Sequence, residues 1–263
     1  MKTTLATKRE VRSLRALARD PKARRAANQF LVEGPRVVGA ALDRSAPLVQ
    51  VLCGPGARAA FPALMERLEL IDVPVVELRE GALERIATTR TPQPVLAVAP
   101  ISEGSAADLP AEGHVIVVVD VADPGNAGAL LRSAEASGAA GIVLSGNSVD
   151  AYNPKVVRAS AGAIFGVPVV EEDDPVSVLD QLAAAGRRRL GAVPSGGLPY
   201  ERAPLAEPVA IVLGGEARGL TPEVAARLDG TVSIPMAGAT ESLNVAMAAT
   251  VLAFEARRQR SEQ

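Results

Sequence analysis

At 263 residues with 48 % hydrophobic and 22 % charged, the chain has a globular composition and exceeds the usual single-domain size, so two domains are expected. Only 2 % of the residues are aromatic and none is Trp, which leaves Ala, Val, Leu and Ile to build the core. One cysteine, Cys53, and one histidine, His114, argue against an internal disulfide, a zinc or other metal site, a Ser-His-Asp triad and a histidine general base.

Net charge is −2 but unevenly spread. Residues 1–44 carry eleven Lys and Arg against four Asp and Glu, a balance of +7, which leaves −9 on the remainder. A basic N-terminal arm on an acidic body points to a phosphate-rich partner, with a solvated helix face as the alternative. The opening MKTTLATKREVRSLRALARD has no apolar stretch behind its basic residues, and no run is long enough to span a bilayer; cytoplasm is the expected compartment.

In chain order, Leu14, Leu17 and Ala18 give the basic segment a helical period, and Asp20-Pro21 ends that helix or begins the next. Strands are expected at 30–32, 48–52, 73–78 and 95–98, with helices at 35–42, 57–68 and 81–88 between them. This alternation predicts a largely parallel, helix-covered sheet. The turn-rich, aperiodic PISEGSAADLPAEG (100–113) reads as a linker, which gives domains at 1–100 and 114–263 with 101–113 between them. Beyond it, strands are expected at 114–120, 141–144, 167–170, 189–193, 209–213 and 231–234, and helices at 127–137, 154–161, 175–185, 222–228 and 242–258. His114 is expected as a structural residue opening its strand.

Three segments carry candidate chemistry. In DVADPGNAGALLRSAEASGA a strand passes through Pro124, Gly125 and Gly128 into a helix, where backbone amides can bind an anion. Asn126 stands in that loop, and Arg132 nearly two turns on either reaches back to a phosphate or ribose or pairs with Glu135 and solvent. In IVLGGEARGLTPEV an apolar strand meets Gly214, Gly215, Glu216 and Gly219, where glycines let a backbone approach a ligand; an ordinary strand-to-helix turn with Thr221-Pro222 as its cap is the alternative. In SIPMAGATESLNVAMAATVLAFEARRQR a strand meets Pro235, and Ser242, Leu243 and Asn244 crowd the start of a helix for which Thr240 or Ser242 is the expected N-cap. Its apolar face, Val245, Ala248, Ala249, Leu252 and Ala253, reads as packing or a subunit contact rather than a ligand box.

In this order the three segments, from about Val115 to Arg260, resemble the SpoU/TrmH group of the SPOUT superfamily of RNA ribose 2'-O-methyltransferases. Asn126, Gly128 and Arg132 meet its first motif, Gly214, Glu216 and Gly219 its second, and Ile234, Pro235, Met236, Ser242, Leu243, Asn244 and Val245 its third. RRAANQFLVEGPRVVGAAL and TRTPQPVLAV in the front half resemble, more loosely, the small α/β RNA substrate-binding domain of the group. The resemblance implies a trefoil-knotted C-terminal α/β domain with a parallel sheet, S-adenosyl-L-methionine as cofactor, and a homodimer whose active site is completed across subunits. It implies Asn126, Arg132, Glu216, Ser242 and Asn244 as the catalytic set. Leu213, Gly214, Gly215, Ile234, Met236 and Leu243 are implied to cradle the cofactor.

Methyl transfer from a sulfonium is an in-line displacement that needs no metal, and alignment alone supplies part of the roughly 7–11 kcal/mol available from ideal positioning. Because a guanidinium gives up its proton only at great cost, Arg132 is expected to clamp phosphate and developing alkoxide while water or a neighbouring group takes the proton. An attached substrate domain favours large-subunit (23S) ribosomal RNA over transfer RNA. A non-catalytic RNA-binding protein of the same fold and a nucleotide-dependent oxidoreductase are the competing readings. The second lacks an acidic residue closing its next strand, where Leu144 is followed by Ser145 and Gly146.

Overall fold

The computed structural model describes residues 3–215 and 218–262. Its first hundred residues run β1 (Thr3–Leu5), α1 (Lys8–Arg19), α2 (Pro21–Ala27), β2 (Gln29–Glu33), α3 (Pro35–Asp43), β3 (Gln50–Cys53), α4 (Ala57–Ala60), α5 (Pro62–Glu69), β4 (Val75–Glu77), α6 (Ala82–Ile86) and β5 (Val95–Pro100). The rest runs β6 (His114–Val119), α7 (Pro124–Ser137), β7 (Gly141–Ser145), α8 (Pro154–Ala159), β8 (Val169–Glu172), α9 (Pro175–Ala184), β9 (Arg188–Ala192), β10 (Leu198–Pro199), β11 (Val209–Gly214), α10 (Pro222–Ala225), β12 (Gly230–Ser233) and α11 (Val245–Ser261). These elements form two units, Met1–Ile101 with Tyr152–Phe165, and Ser102–Ala151 with Gly166–Gln263. None of the described helices is long and apolar enough to cross a membrane.

Among the described residues the first unit holds one sheet, ordered β1-β4-β3-β5-β2. Strands β1, β4 and β3 are parallel, but β5 runs antiparallel to both β3 and β2, so the expected parallel sheet exists only in part. A parallel return needs a connector of a dozen or more residues, usually a helix long enough to run back along the sheet, and the five-residue α6 is too short for that. The expected helix at 57–68 is split, because Pro62 begins α5 and holds Phe61 out of helical geometry (φ −135°).

The basic segment is not an appended arm. Thr7 and Glu10 form a capping box that starts α1, whose Leu14, Leu17 and Ala18 are buried with Leu31, Leu52, Leu83 and Leu96. Its cations stand on the opposite face because the helical period that buries every third or fourth residue turns the others outward. Lys2 lies outside the described residues.

Residues 152–165, read from sequence as part of the second domain, belong to the first unit. Phe30 on β2 meets Tyr152 in a tilted contact at 4.9 Å and stacks with Phe165 at 6.0 Å between ring centroids. The Glu33 carboxylate, its side chain 4 % exposed, accepts from Arg158 at 2.9 Å and from the Thr88 amide and hydroxyl at 2.9 and 2.8 Å. Half of the six Phe and Tyr rings of this chain are thus spent on one cluster.

The second unit is built on a fully parallel sheet, ordered β10-β12-β9-β11-β6-β7-β8. Every residue of β6 is buried, as expected for the centre of a sheet covered on both faces. Residues 102–113 are held to this unit rather than hanging between two: Ala106 and Leu109 enter its core, Ser105 and Asp108 cap a 3-10 turn, and Arg187 donates to the carbonyls of Pro110 and Gly113. His114 opens β6, buried, with Nε2 3.0 Å from the Ser137 hydroxyl and Nδ1 unpartnered. Burial, helped by the nearby Arg260 and Arg187, lowers its pKa to about 4.

Two consequences are measurable. The folded-state value for His114 lies below its ordinary 6.5, so the unfolded chain takes up a proton first as pH falls. The stability that rests on the neutral ring is therefore complete above about pH 6.5 and is lost between there and about pH 4, by up to about 3 kcal/mol. Urea unfolding at pH 7 and pH 5 should show the greater part of this loss in the wild type and not in His114→Gln; equal losses would remove His114 as its source. Arg158→Ala leaves the buried Glu33 carboxylate without its cation and should cost about 2–3 kcal/mol in the same assay. A cost under about 0.5 kcal/mol, the range of exposed pairs, would mean that Thr88 suffices.

Candidate active site

Parallel sheets gather loops at the carboxyl ends of their strands, and ligands bind there. In the second unit the ends of β9, β11 and β12 meet the first turns of α11 around a cavity of about 290 Å³. That lies at the lower edge of the roughly 300–1,000 Å³ typical of small-molecule sites. Its walls are Leu213, Gly214, Gly215 and Gly219 after β11, Val232, Ile234 and Met236 at β12, and Ser242, Leu243, Val245, Ala248 and Leu252 at α11. All six residues expected to cradle a cofactor are on this wall, with Ser242.

Glycines make the wall possible. A Cβ on Gly214 would collide with the Gly219 backbone, and one on Gly215 with the Asp120 carbonyl at the end of β6. The loop is closed by the Gly219 amide donating to the Gly215 carbonyl at 2.9 Å. Asp120 is itself held in the left-handed region (φ 59°), its carboxylate accepting from the Asn147 amide at 2.7 Å. Two loops that are far apart in sequence therefore touch backbone to backbone beside the cavity.

The polar candidates divide. The expected N-caps, Thr240 and Ser242, are displaced by Asn244, whose Oδ1 accepts from the Ala246 and Met247 amides at 2.9 and 3.4 Å. The Asn244 side-chain NH2 donates to Asn126 Oδ1 at 3.0 Å and so joins the first motif to the third. Asn126 is not in a loop: α7 begins at Pro124, and the Asp123 carboxylate caps it by accepting from the Asn126 amide at 2.8 Å. That carboxylate occupies the helix mouth, so the expected anion site there is not formed. Further along, Ser133 meets Thr250 at 2.6 Å and Arg257 donates to the Ala136 carbonyl at 2.7 Å, pinning α7 along α11.

Arg132 lies one residue before the face pinned to α11 and is exposed; it is not on the cavity wall. Among the described residues it makes no hydrogen bond or ion pair, Glu135 included. Glu216 lies outside the described residues.

Sequence reasoning missed two parts of the wall. Ala192 ends β9 and Val193 and Pro194 follow it, where the only signal was a strand ending in a Pro-Ser-Gly-Gly turn. Val245, Ala248 and Leu252 belong to the α11 face read as packing rather than as a ligand box; that face is largely buried inside the chain, and these three residues close the cavity. What α11 leaves exposed is a separate stripe, with Met247 62 % and Phe254 43 % accessible and Val251 half-buried between them.

Residues 113–254 match the SpoU rRNA Methylase family, and residues 8–97 the MRM3-like substrate binding domain. The chain is 33 % identical over 236 residues to the 23S rRNA (guanosine(2553)-2'-O)-methyltransferase RlmP of Bacillus subtilis, covering 90 % of this chain and 91 % of that protein. It is similar to the crystal structure of the SpoU methyltransferase AviRb of Streptomyces viridochromogenes in complex with AdoMet, with a TM-score of 0.86, 30 % identity and coverage of 97 % and 99 %. A structure described for 2-OH methylation of C/U34 on tRNA matches only 59 % of this chain, though all of its own length, with 31 % identity and a TM-score of 0.53. With its glycine-walled cavity at the carboxyl ends of a parallel sheet and a substrate-binding domain in front, this chain belongs to the SpoU rRNA methylase family.

Proposed function

We propose that the chain transfers a methyl group from S-adenosylmethionine to a ribose 2'-hydroxyl of large-subunit ribosomal RNA, as a cytoplasmic homodimer. The observation that carries this is the cavity, in which glycine backbones and apolar side chains from three separated segments meet at the ends of β9, β11 and β12. In two relatives named for 23S rRNA, RlmP of Bacillus subtilis and the uridine(2479) enzyme of Streptomyces viridochromogenes, the similarity covers 90 % and 89 % of this chain, whereas the tRNA-directed structure, like the 23S rRNA enzyme RlmB, matches little more than half of it. Residues 1–100 would then engage RNA and 114–263 carry out transfer.

The cavity fits the cofactor. Val232, Ile234, Leu243, Val245 and Leu252 suit the flat apolar face of an adenine ring. Gly214 and Gly215 bring backbone to the wall with no side chain between, and Leu213 and Met236 complete the cradle. When bound, the cofactor supplies an electrophilic methyl on a sulfonium. The protein's part is to align the sugar oxygen with it and ease the loss of the hydroxyl proton. Ser242, on the wall, and the paired amides of Asn126 and Asn244, at the start of α11, are the polar groups that would orient the ribose. Glu216 is assigned to hold the RNA or an arginine in register.

Arg132 we place at the active site of the other subunit. It is exposed, without a partner among the described residues, and carried by the helix pair α7–α11, whose Met247, Val251 and Phe254 stand at i, i+4 and i+7 as an apolar stripe for a second copy. There its guanidinium would clamp phosphate and stabilise the developing alkoxide by donation, leaving the proton to water.

Arg132→Ala should lower methyl transfer by roughly 10²–10³-fold or more while cofactor affinity stays within a few-fold. Transfer at the wild-type rate would take Arg132 out of the mechanism; mixing Arg132→Ala with a cofactor-site variant should restore one of the two sites in each mixed dimer if the arginine acts across subunits. Gly215→Val, which drives a side chain into Asp120, should abolish cofactor uptake in calorimetry. Undiminished uptake would separate the cavity from the cofactor.

A further inference from the structure

The first unit carries a second concavity that the methyl-transfer site does not use. It encloses about 450 Å³ between the start of α1 and the segment that leads from β4 into α6. Four cations, Lys8, Arg12, Arg79 and Arg85, stand on its walls, and all four are exposed. Its floor includes Ala6, Val11 and Ala82, which join or pack against the core.

The basin gathers four cations into one concavity without ion-pairing them among the described residues. Arg58, Arg67, Arg158, Arg188, Arg189, Arg227 and Arg258 each meet a carboxylate within 4 Å. Among the described residues none of the four basin cations does. Glu80 is the one carboxylate on the wall. Glu10, the nearest acid on α1, has an oxygen committed to the amide and hydroxyl of Thr7, both at 2.7 Å. Four like charges gathered around one concavity repel one another and call for a compensation that Glu80, alone on the wall, only begins to meet. An external polyanion supplies that compensation.

We propose that this basin is a docking site for the phosphate backbone of RNA, with Lys8, Arg12, Arg79 and Arg85 on successive phosphates and the small apolar floor under a sugar. The proposal rests on the reading of the chain as an RNA-modifying enzyme and assigns its substrate domain a specific contact surface. Backbone phosphate is favoured over a base edge because the wall offers donors of one sign and no aromatic ring for stacking.

The test uses the full-length protein and a transcript of 23S ribosomal RNA, with affinity measured across a salt series. Neutralising Arg12, Arg79 and Arg85 together to Gln should flatten the slope of log K against log salt by about 2–3, close to 0.7–0.9 per lost phosphate contact. Affinity at low salt should fall at least tenfold. Arg58→Gln, which removes a paired cation from the same unit, serves as the control and should leave the slope unchanged. An unchanged slope in the triple variant, or an equal change in the control, would overturn the basin. Because the three side chains are exposed, the variant should keep its melting temperature; if it does not, Lys8→Gln with Arg85→Gln is read in its place by the same criterion. Calorimetry with S-adenosylmethionine on the same samples reads the catalytic site separately. A wild type that binds RNA with the expected slope yet takes up no cofactor would sink the enzymatic reading and leave the basin standing.

Discussion

Everything at the catalytic end of this molecule depends on one close approach of backbone to backbone. The Gly214–Gly215 turn leaving β11 lies against Asp120 at the end of β6 on one side and is bridged to Gly219 on the other, with no space for a Cβ at either glycine. Because the turn is seated there, the loop that follows faces the end of β12 and the first turn of α11 across a gap the size of a small molecule. Rigid parallel strands beneath and close-packed loops above are what convert an ordinary sheet edge into a binding wall.

Around that approach the polar groups hold helices more than they fill the cavity. Asn244 caps α11 with one end of its amide and reaches Asn126 with the other. Ser133 and Thr250 repeat the contact two turns on. One face of α7 is therefore committed to α11, and the side chains beside that face are turned out to solvent, Arg132 among them. The residue with the clearest chemical capability is exposed and lies off the cavity wall.

The two units solve the stability problem differently. The second relies on a parallel sheet whose central strands are apolar along their whole length, and it tolerates a neutral histidine within. The first has a smaller mixed sheet, and it adds a borrowed segment: Tyr152 and Phe165 against Phe30, and Arg158 against a buried glutamate. Its surface cations are spared from internal pairing where they line the basin between α1 and α6.

Much of this was legible in the linear chain. Alternating apolar runs and turn residues located six of the seven strands of the second sheet to within a few residues, missing only the two-residue β10, because long β-branched runs such as VIVVV have only one comfortable environment. The glycines at 214 and 215, and the order of the three motifs, pointed to the cavity wall before any coordinates. What the chain alone could not reveal were relations between segments distant in sequence. The antiparallel run of β5, the attachment of residues 152–165 to Phe30 and Glu33, the use of Val245, Ala248 and Leu252 as cavity wall, and the outward direction of Arg132 all follow from which surfaces meet in three dimensions. Periodicity records that a face is apolar; only packing decides what that face is apolar against.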